Sequence, residues 1–215
     1  MNATHPIEWL FTTLQFAKSP TSPDQEKPHF LTLITDHFQA DGSHIVLHLA
    51  KYILSSTLKK LLIIKGKLSP VEKSTIVSFL TQHEKRVLIF DEENVDEGPI
   101  GIDEYVIIAL YVDHLSEMIR KSRCDTFLLP FPQPVLEENF LRKWAMYHSA
   151  IHVNIAPLPS GYSSSADGKI SVSAGLFCDA SGFSLTDVSL KNSLPFSLQY
   201  KISQSGDDIQ VWHHK

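Results

Sequence analysis

The sequence predicts an α/β domain built on a mainly parallel sheet flanked by helices, with antiparallel hairpins added at its C-terminal end. Three observations predict it. From residue 30 to 156, short apolar runs alternate with segments whose apolar residues recur at helical spacing, and such alternation implies parallel strands joined by crossover helices. The last third of the chain reads instead as strands separated by turn residues. The chain has 215 residues, 43% apolar and 20% charged, enough to bury one core without disulfides or metal.

The elements follow in order. Ile7, Leu10, Phe11 and Leu14 have the spacing of a short amphipathic helix. Residues 18–27, with Pro20 and Pro23, read as a linker, so 1–28 is a helix and tether ahead of the main body. Residues 30–35 form a strand. Ser43 is then placed to cap a helix that carries Ile45, Val46, Leu49, Ala50, Ile53 and Leu54 on one stripe. A second buried strand covers 61–64, and Ser69-Pro70 has the residue types that open a helix, with Val71, Ile76, Phe79 and Leu80 as its apolar positions. A third strand, 87–90, runs into the acidic stretch 91–97. Periodicity leaves 105–112 open between strand and helix, and Leu115, Met118 and Ile119 look helical. A strand at 126–129 stops at Pro130, Pro132 and Pro134. Leu136, Phe140, Leu141, Trp144, Ala145 and His148 share a helical face, and 151–156 is a further strand. Residues 169–172 return as a strand. Phe196, Leu198, Tyr200 and Ile202 alternate with polar residues, which describes a half-buried strand, and residues 205–208 turn it back into 209–212. We read 1–215 as a single domain.

Composition narrows the function. Lys plus Arg number 19 and Asp plus Glu 24, so a nucleic acid would have to be met by local basic patches rather than by bulk charge. Cys124 and Cys178 are the two cysteines; they exclude a disulfide scaffold and cannot by themselves close a four-ligand zinc site. The N-terminal residues lack the basic start and apolar core of a signal peptide, and no apolar run reaches the length of a membrane span. An intracellular, reducing compartment is expected.

The first strand-to-helix loop is where an α/β sheet usually holds phosphate. Such a loop needs several glycines for close backbone approach, a lysine for the phosphate charge and a hydroxyl for magnesium. Residues 35–44 offer one glycine, Gly42, no lysine, and two aspartates, Asp36 and Asp41. Carboxylates repel a triphosphate, so this loop is a poor nucleotide cradle. Asp91 and Asp113 end strands and have the chemistry to hold magnesium, but without a phosphate loop the metal has nothing to bridge. His44 and His48 have the spacing of a zinc motif without its glutamate or a third ligand, so a packed or surface pair is expected. No Gly-x-Ser-x-Gly elbow occurs, and Cys124, though beside Arg123, has no nearby partner to activate it. The basic groups are Lys59-Lys60 with Lys65 and Lys67, then Arg120-Lys121 with Arg123, then Arg142-Lys143.

Taken together, residues 31–36 followed by Ala40-Asp41-Gly42-Ser43-His44-Ile45 resemble the opening of the Elongator complex protein 6 family. Val112-Asp113-His114 is similar to that family's strand end at the position of a magnesium-binding acid. Residues 150–154, 160–162 and 167–170 resemble its late strand and hairpin, and Phe196-Ser197-Leu198-Gln199-Tyr200-Lys201-Ile202 its closing strand. The likeness runs in patches from Phe30 to Trp212, leaves out the N-terminal helix, and is shared in part with Elongator protein 5.

The resemblance implies a RecA-like fold without a working phosphate loop, no enzymatic activity, and no cofactor or metal. It implies a hetero-hexameric ring with subunits resembling Elongator proteins 4 and 5. That ring would dock on the catalytic Elongator subunits and bind transfer RNA during wobble-uridine modification, in the cytoplasm and nucleus and away from any membrane. Within such a ring Arg120, Lys121 and Arg123 are the expected RNA contacts, because they follow the strand that ends at Asp113. The competing readings are an Elongator protein 5-like subunit, a divergent nucleotide hydrolase using Asp91 or Asp113, and a recombination paralogue that prefers single-stranded DNA.

Overall fold

A computed structural model describes residues 3–14, 16, 31–37, 39–97, 105–112, 125–130, 140–161, 163–175 and 194–213. In chain order the elements are β1 His5–Pro6, α1 Ile7–Thr13, β2 Leu31–Thr35, α2 Ser43–Ser56, β3 Lys60–Lys65, α3 Lys73–Phe79, β4 Val87–Asp91, β5 Tyr105–Val112, β6 Thr126–Pro130, α4 Phe140–His148, β7 Ile151–Ala156, β8 Gly168–Ala174, β9 Phe196–Ile202 and β10 Ile209–His213. Tight 3-10 turns cover Thr81–Arg86 and Glu92–Glu97.

The strands form one sheet in the order β1-β10-β9-β8-β7-β2-β6-β5-β3-β4. Every pairing from β7 to β4 is parallel. From β7 to β1 every pairing is antiparallel. The α/β class and its antiparallel extension are therefore as the sequence implied. The order also places β6 and β5 between β2 and β3, so it differs from the dinucleotide-binding arrangement in which the first two strands are neighbours.

Each half of the sheet shows its burial in its sequence. Leu61, Leu62, Ile63 and Ile64 of β3 are all fully buried, as expected for a parallel strand covered on both faces. The same logic resolves 105–112: it is a strand, β5, and all eight of its residues are buried. In β7 and β8 buried residues alternate with half-buried ones, the pattern of a sheet covered chiefly on one face.

One face packs Ile34, Ile63, Ile108, Val153, Ile170, Leu198 and Val211 beneath α2 and α1. The other packs Leu33, Leu62, Ile107 and Leu128 against Leu141 and Ala145 of α4. The N-terminal helix belongs to this core: Ile7, Leu10 and Phe11 are buried, α1 packs on α2 and β10, and β1 pairs with β10. Residues 18–28, read from the sequence as a tether, lie outside the described residues, as do Leu115, Met118 and Ile119, read as a helix.

Two helix starts differ from their sequence signals. Ser43 is the first residue inside α2 and Gly42 is the cap; the Ser43 N–H donates to Asp41 Oδ1 instead (2.8 Å). α3 begins at Lys73 rather than near Ser69, because the Ser69 hydroxyl accepts the Val71 N–H (3.3 Å) and closes a local turn first. Among the described residues no helix is long and apolar enough to cross a membrane.

Candidate functional site

Parallel strands bring their carboxyl ends to one edge of the sheet, and open α/β sheets bind ligands there. At that edge the β2–α2 loop meets the end of β5, with only β6 between the two strands. The meeting is made by Tyr111. Its backbone has φ 54°, and the register of β5 on β6 shifts between Leu110 and Val112. This is a bulge. Strict alternation would send Tyr111 to the face opposite Leu110; the bulge turns both onto the face beneath α2. Tyr111 is 3% exposed.

Its phenol reaches the loop. The Tyr111 hydroxyl lies 2.8 Å from Asp36 Oδ2 and 2.6 Å from Asp41 Oδ1. The amides at the start of α2 are also engaged: Gly42 N–H donates to Asp36 Oδ2 (3.0 Å) and Ser43 N–H to Asp41 Oδ1 (2.8 Å). The Ser43 hydroxyl donates to Asp41 Oδ2 (2.8 Å). Free amides at a helix N-terminus are what a phosphate would take. Here the chain's own carboxylates hold two of them. Gly42 has no room for a side chain, since a Cβ would come within 2.9 Å of Ile155 Cδ1 and 3.2 Å of Asp36 Cβ.

The two acids are electrostatically unlike. Burial pushes Asp36 above the ordinary carboxyl range, with the neighbouring Asp41 charge adding to it, and the Gly42 and Tyr111 hydrogen bonds only partly offset this. Burial also pushes Asp41 up, but the Tyr111 hydroxyl and the Ser43 amide and hydroxyl outweigh it and hold that carboxyl low. Burial and the same two carboxylates drive the phenol well above its ordinary range, so Tyr111 stays a donor. One hydroxyl carries one proton. The shorter contact, to Asp41, takes it; the contact to Asp36 is a hydrogen bond when Asp36 carries a proton of its own. Asp36 Oδ1 is buried and has no hydrogen-bond partner among the described residues.

On the other face, beside this edge, the Thr35 hydroxyl donates to Asn154 Oδ1 (2.9 Å) and accepts from His152 Nε2 (2.8 Å). The polar residues 152 and 154 alternate with Ile151, Val153 and Ile155; from the sequence this segment is read only as a strand, though that alternation is the signal that could have shown the cluster. Tyr111 had no such signal, because a bulge leaves no mark in an all-apolar run.

The other candidate residues are placed as follows. Asp91 is exposed at the end of β4, four strands from β2, about 19 Å at the usual spacing; it shares no site with the loop. Asp113, Arg120, Lys121, Arg123, Cys124 and Cys178 lie outside the described residues. His48 is buried and its Nε2–H donates to the Gly206 carbonyl (3.1 Å), with Phe79 edge-on at 5.1 Å; His44 is exposed. Among the described residues no three His, Cys, Asp or Glu side chains converge in a metal-binding group. The lysines 59, 60, 65 and 67 do not form one patch. They sit at opposite ends of β3, about 17 Å apart. Lys59 pairs with Asp125 (3.3 Å) and Lys67 with Glu93 (3.5 Å).

The fold and this edge define an α/β protein whose helix-start anion position is filled from within. Compared with known proteins, the chain matches no family model, and no curated protein matches it.

Proposed function

We propose that this protein is a non-catalytic RecA-like subunit, similar to the Elongator complex protein 6 family, that works by assembling with related subunits and helping to hold transfer RNA. The observation that carries the reading is the filled elbow. The Gly42 and Ser43 amides serve Asp36 and Asp41 rather than a phosphate, and a subunit that cannot seat a nucleotide there acts through its surfaces. The parallel placement of β2 and β5 with β6 between them supports the RecA-like part, since it brings the phosphate-loop strand and the acid-bearing strand to one edge. A hydrolase using Asp91 lacks support, because Asp91 is too far from the elbow.

Affinity purification of the full chain from cells, followed by mass spectrometry, should recover Elongator subunits; recovery of none of them would remove the proposal. Calorimetry with ATP and magnesium should show no heat of binding, whereas ATP turnover that is lost on Asp113→Asn would favour the hydrolase reading. In the assembled ring, Arg120→Ala with Lys121→Ala should lower the slope of log affinity for transfer RNA against log salt by about 2, near one unit per phosphate contact. An unchanged slope clears those residues of the role.

A further inference from the structure

The two edges of the sheet are finished differently. β1 is two residues long and ends in Pro6, so it offers little to another strand. β4 reads Val-Leu-Ile-Phe-Asp, with no proline and no lysine. Among the described residues no strand pairs with its outer side. Leu88 is 38% exposed, and Val87, Ile89 and Phe90 are half-buried. An apolar edge left without protection is a template for pairing.

The ends of this edge carry opposite charge. Glu84, Lys85 and Arg86 precede it; Asp91 ends it, and Glu92 and Glu93 follow. Arg86 is committed to the carbonyls of Leu54 and Thr57, and Glu92 is buried. The exposed charges are Glu84 and Lys85 at one end and Asp91 and Glu93 at the other, with Glu93 shared with Lys67; Arg86 keeps its charge and leaves the first end net positive.

We propose that β4 pairs antiparallel with β4 of a second copy of this chain, about a twofold axis at Leu88. Antiparallel pairing sets the basic end of each copy against the acidic end of the other, whereas parallel pairing would set like charges together. Facing residues in an antiparallel ladder both aim their backbone groups at each other or both away. A strand paired with itself meets that condition when the axis falls on a residue. With the axis at Leu88, Val87 faces Ile89 of its partner and Leu88 packs on its own copy, while Lys85, in the 3-10 turn before β4, sits at the end that meets the partner's Asp91. The interface is isologous and closes at two copies. It is independent of the elbow and of any ring.

Oxidative cross-linking and sedimentation of the full chain test this. Leu88→Cys should give a covalent dimer on oxidation, since side chains at the axis come within disulfide reach. Val77→Cys, equally exposed on α3, should stay at the wild-type background set by Cys124 and Cys178. Sedimentation velocity should show a concentration-dependent dimer. Lys85→Glu and Asp91→Lys should each weaken it about three- to tenfold, and the double variant should restore it. A chain monomeric at every concentration, or Leu88→Cys cross-linking no better than Val77→Cys, overturns the proposal. Cross-linking at Leu88 with no response to the charge swap overturns the register.

Discussion

Gly66→Ala should destabilise the protein by about 3 kcal/mol or more. Gly66 follows β3 and its N–H donates to the Leu110 carbonyl (2.8 Å). A Cβ there would lie 2.0 Å from the Tyr111 carbonyl oxygen, 2.5 Å from its carbonyl carbon and 2.9 Å from Val112 N. Those atoms are backbone, so a rotamer change cannot relieve the clash. The bulge of β5 would have to shift, and Tyr111 would leave the elbow with it. At 2–4 °C per kcal/mol for a domain of this size, the melting temperature should drop by about 6 °C or more. Gly161→Ala is the matched control: its φ is 81° and a Cβ would meet nothing within 4 Å, so it should cost about 1 kcal/mol from backbone strain alone. If thermal or denaturant unfolding finds the two variants equally stable, the close packing of Gly66 under the bulge is not what holds Tyr111 in place.

The parts of the molecule that were legible in the sequence are those where burial dictates composition. β3 had to be apolar from Leu61 to Ile64 because it is covered on both faces there, and β9 had to alternate because it is not. The parts that were not legible turn on a competition between local hydrogen bonds. Ser43 has the right hydroxyl for a cap, yet Asp41 two residues earlier takes its amide, and the cap falls to Gly42. Ser69 has the same hydroxyl and spends it on Val71. The disabling role of Asp36 and Asp41 followed from their charge, but its mechanism did not. Simple repulsion of a triphosphate needs only two carboxylates in the loop. The structure adds a phenol from a strand 70 residues later, and that contact depends on a single inserted residue in β5.

Tyr111→Phe should cost about 1–3 kcal/mol at neutral pH, the range for leaving hydrogen-bonding groups without their donor. It removes the one proton that separates Asp36 Oδ2 from Asp41 Oδ1, and the partial exposure of Asp41 to solvent keeps the loss toward the lower end. The same geometry makes the two aspartates unequal. Asp36→Asn places an amide N–H where the protonated acid would donate to Tyr111, so it should be neutral or stabilising; Asp41→Asn gives up the ionised acceptor and should destabilise. The pH dependence separates them further. Burial raises Asp36 above the ordinary aspartate value of 3.8, so the folded protein holds a proton that the unfolded chain releases. Its contribution is complete below that value and is lost as pH rises through the folded pKa. Asn at 36 abolishes that loss, so the variant's advantage over wild type should grow with pH. Asp41 is lowered, and its contribution is present above the unfolded value and lost as pH falls through the folded one. The decisive measurement is the double variant. With Asn at 36, removing the phenol leaves an amide donor facing the Asp41 carboxylate, which attracts; with Asp at 36, it leaves two carboxylates, which repel above the Asp36 pKa. Tyr111→Phe should therefore cost less in the Asp36→Asn background than in wild type at pH 8, by denaturant unfolding. Equal costs in both backgrounds would mean that Tyr111 does not bridge the two acids by a shared chain of protons.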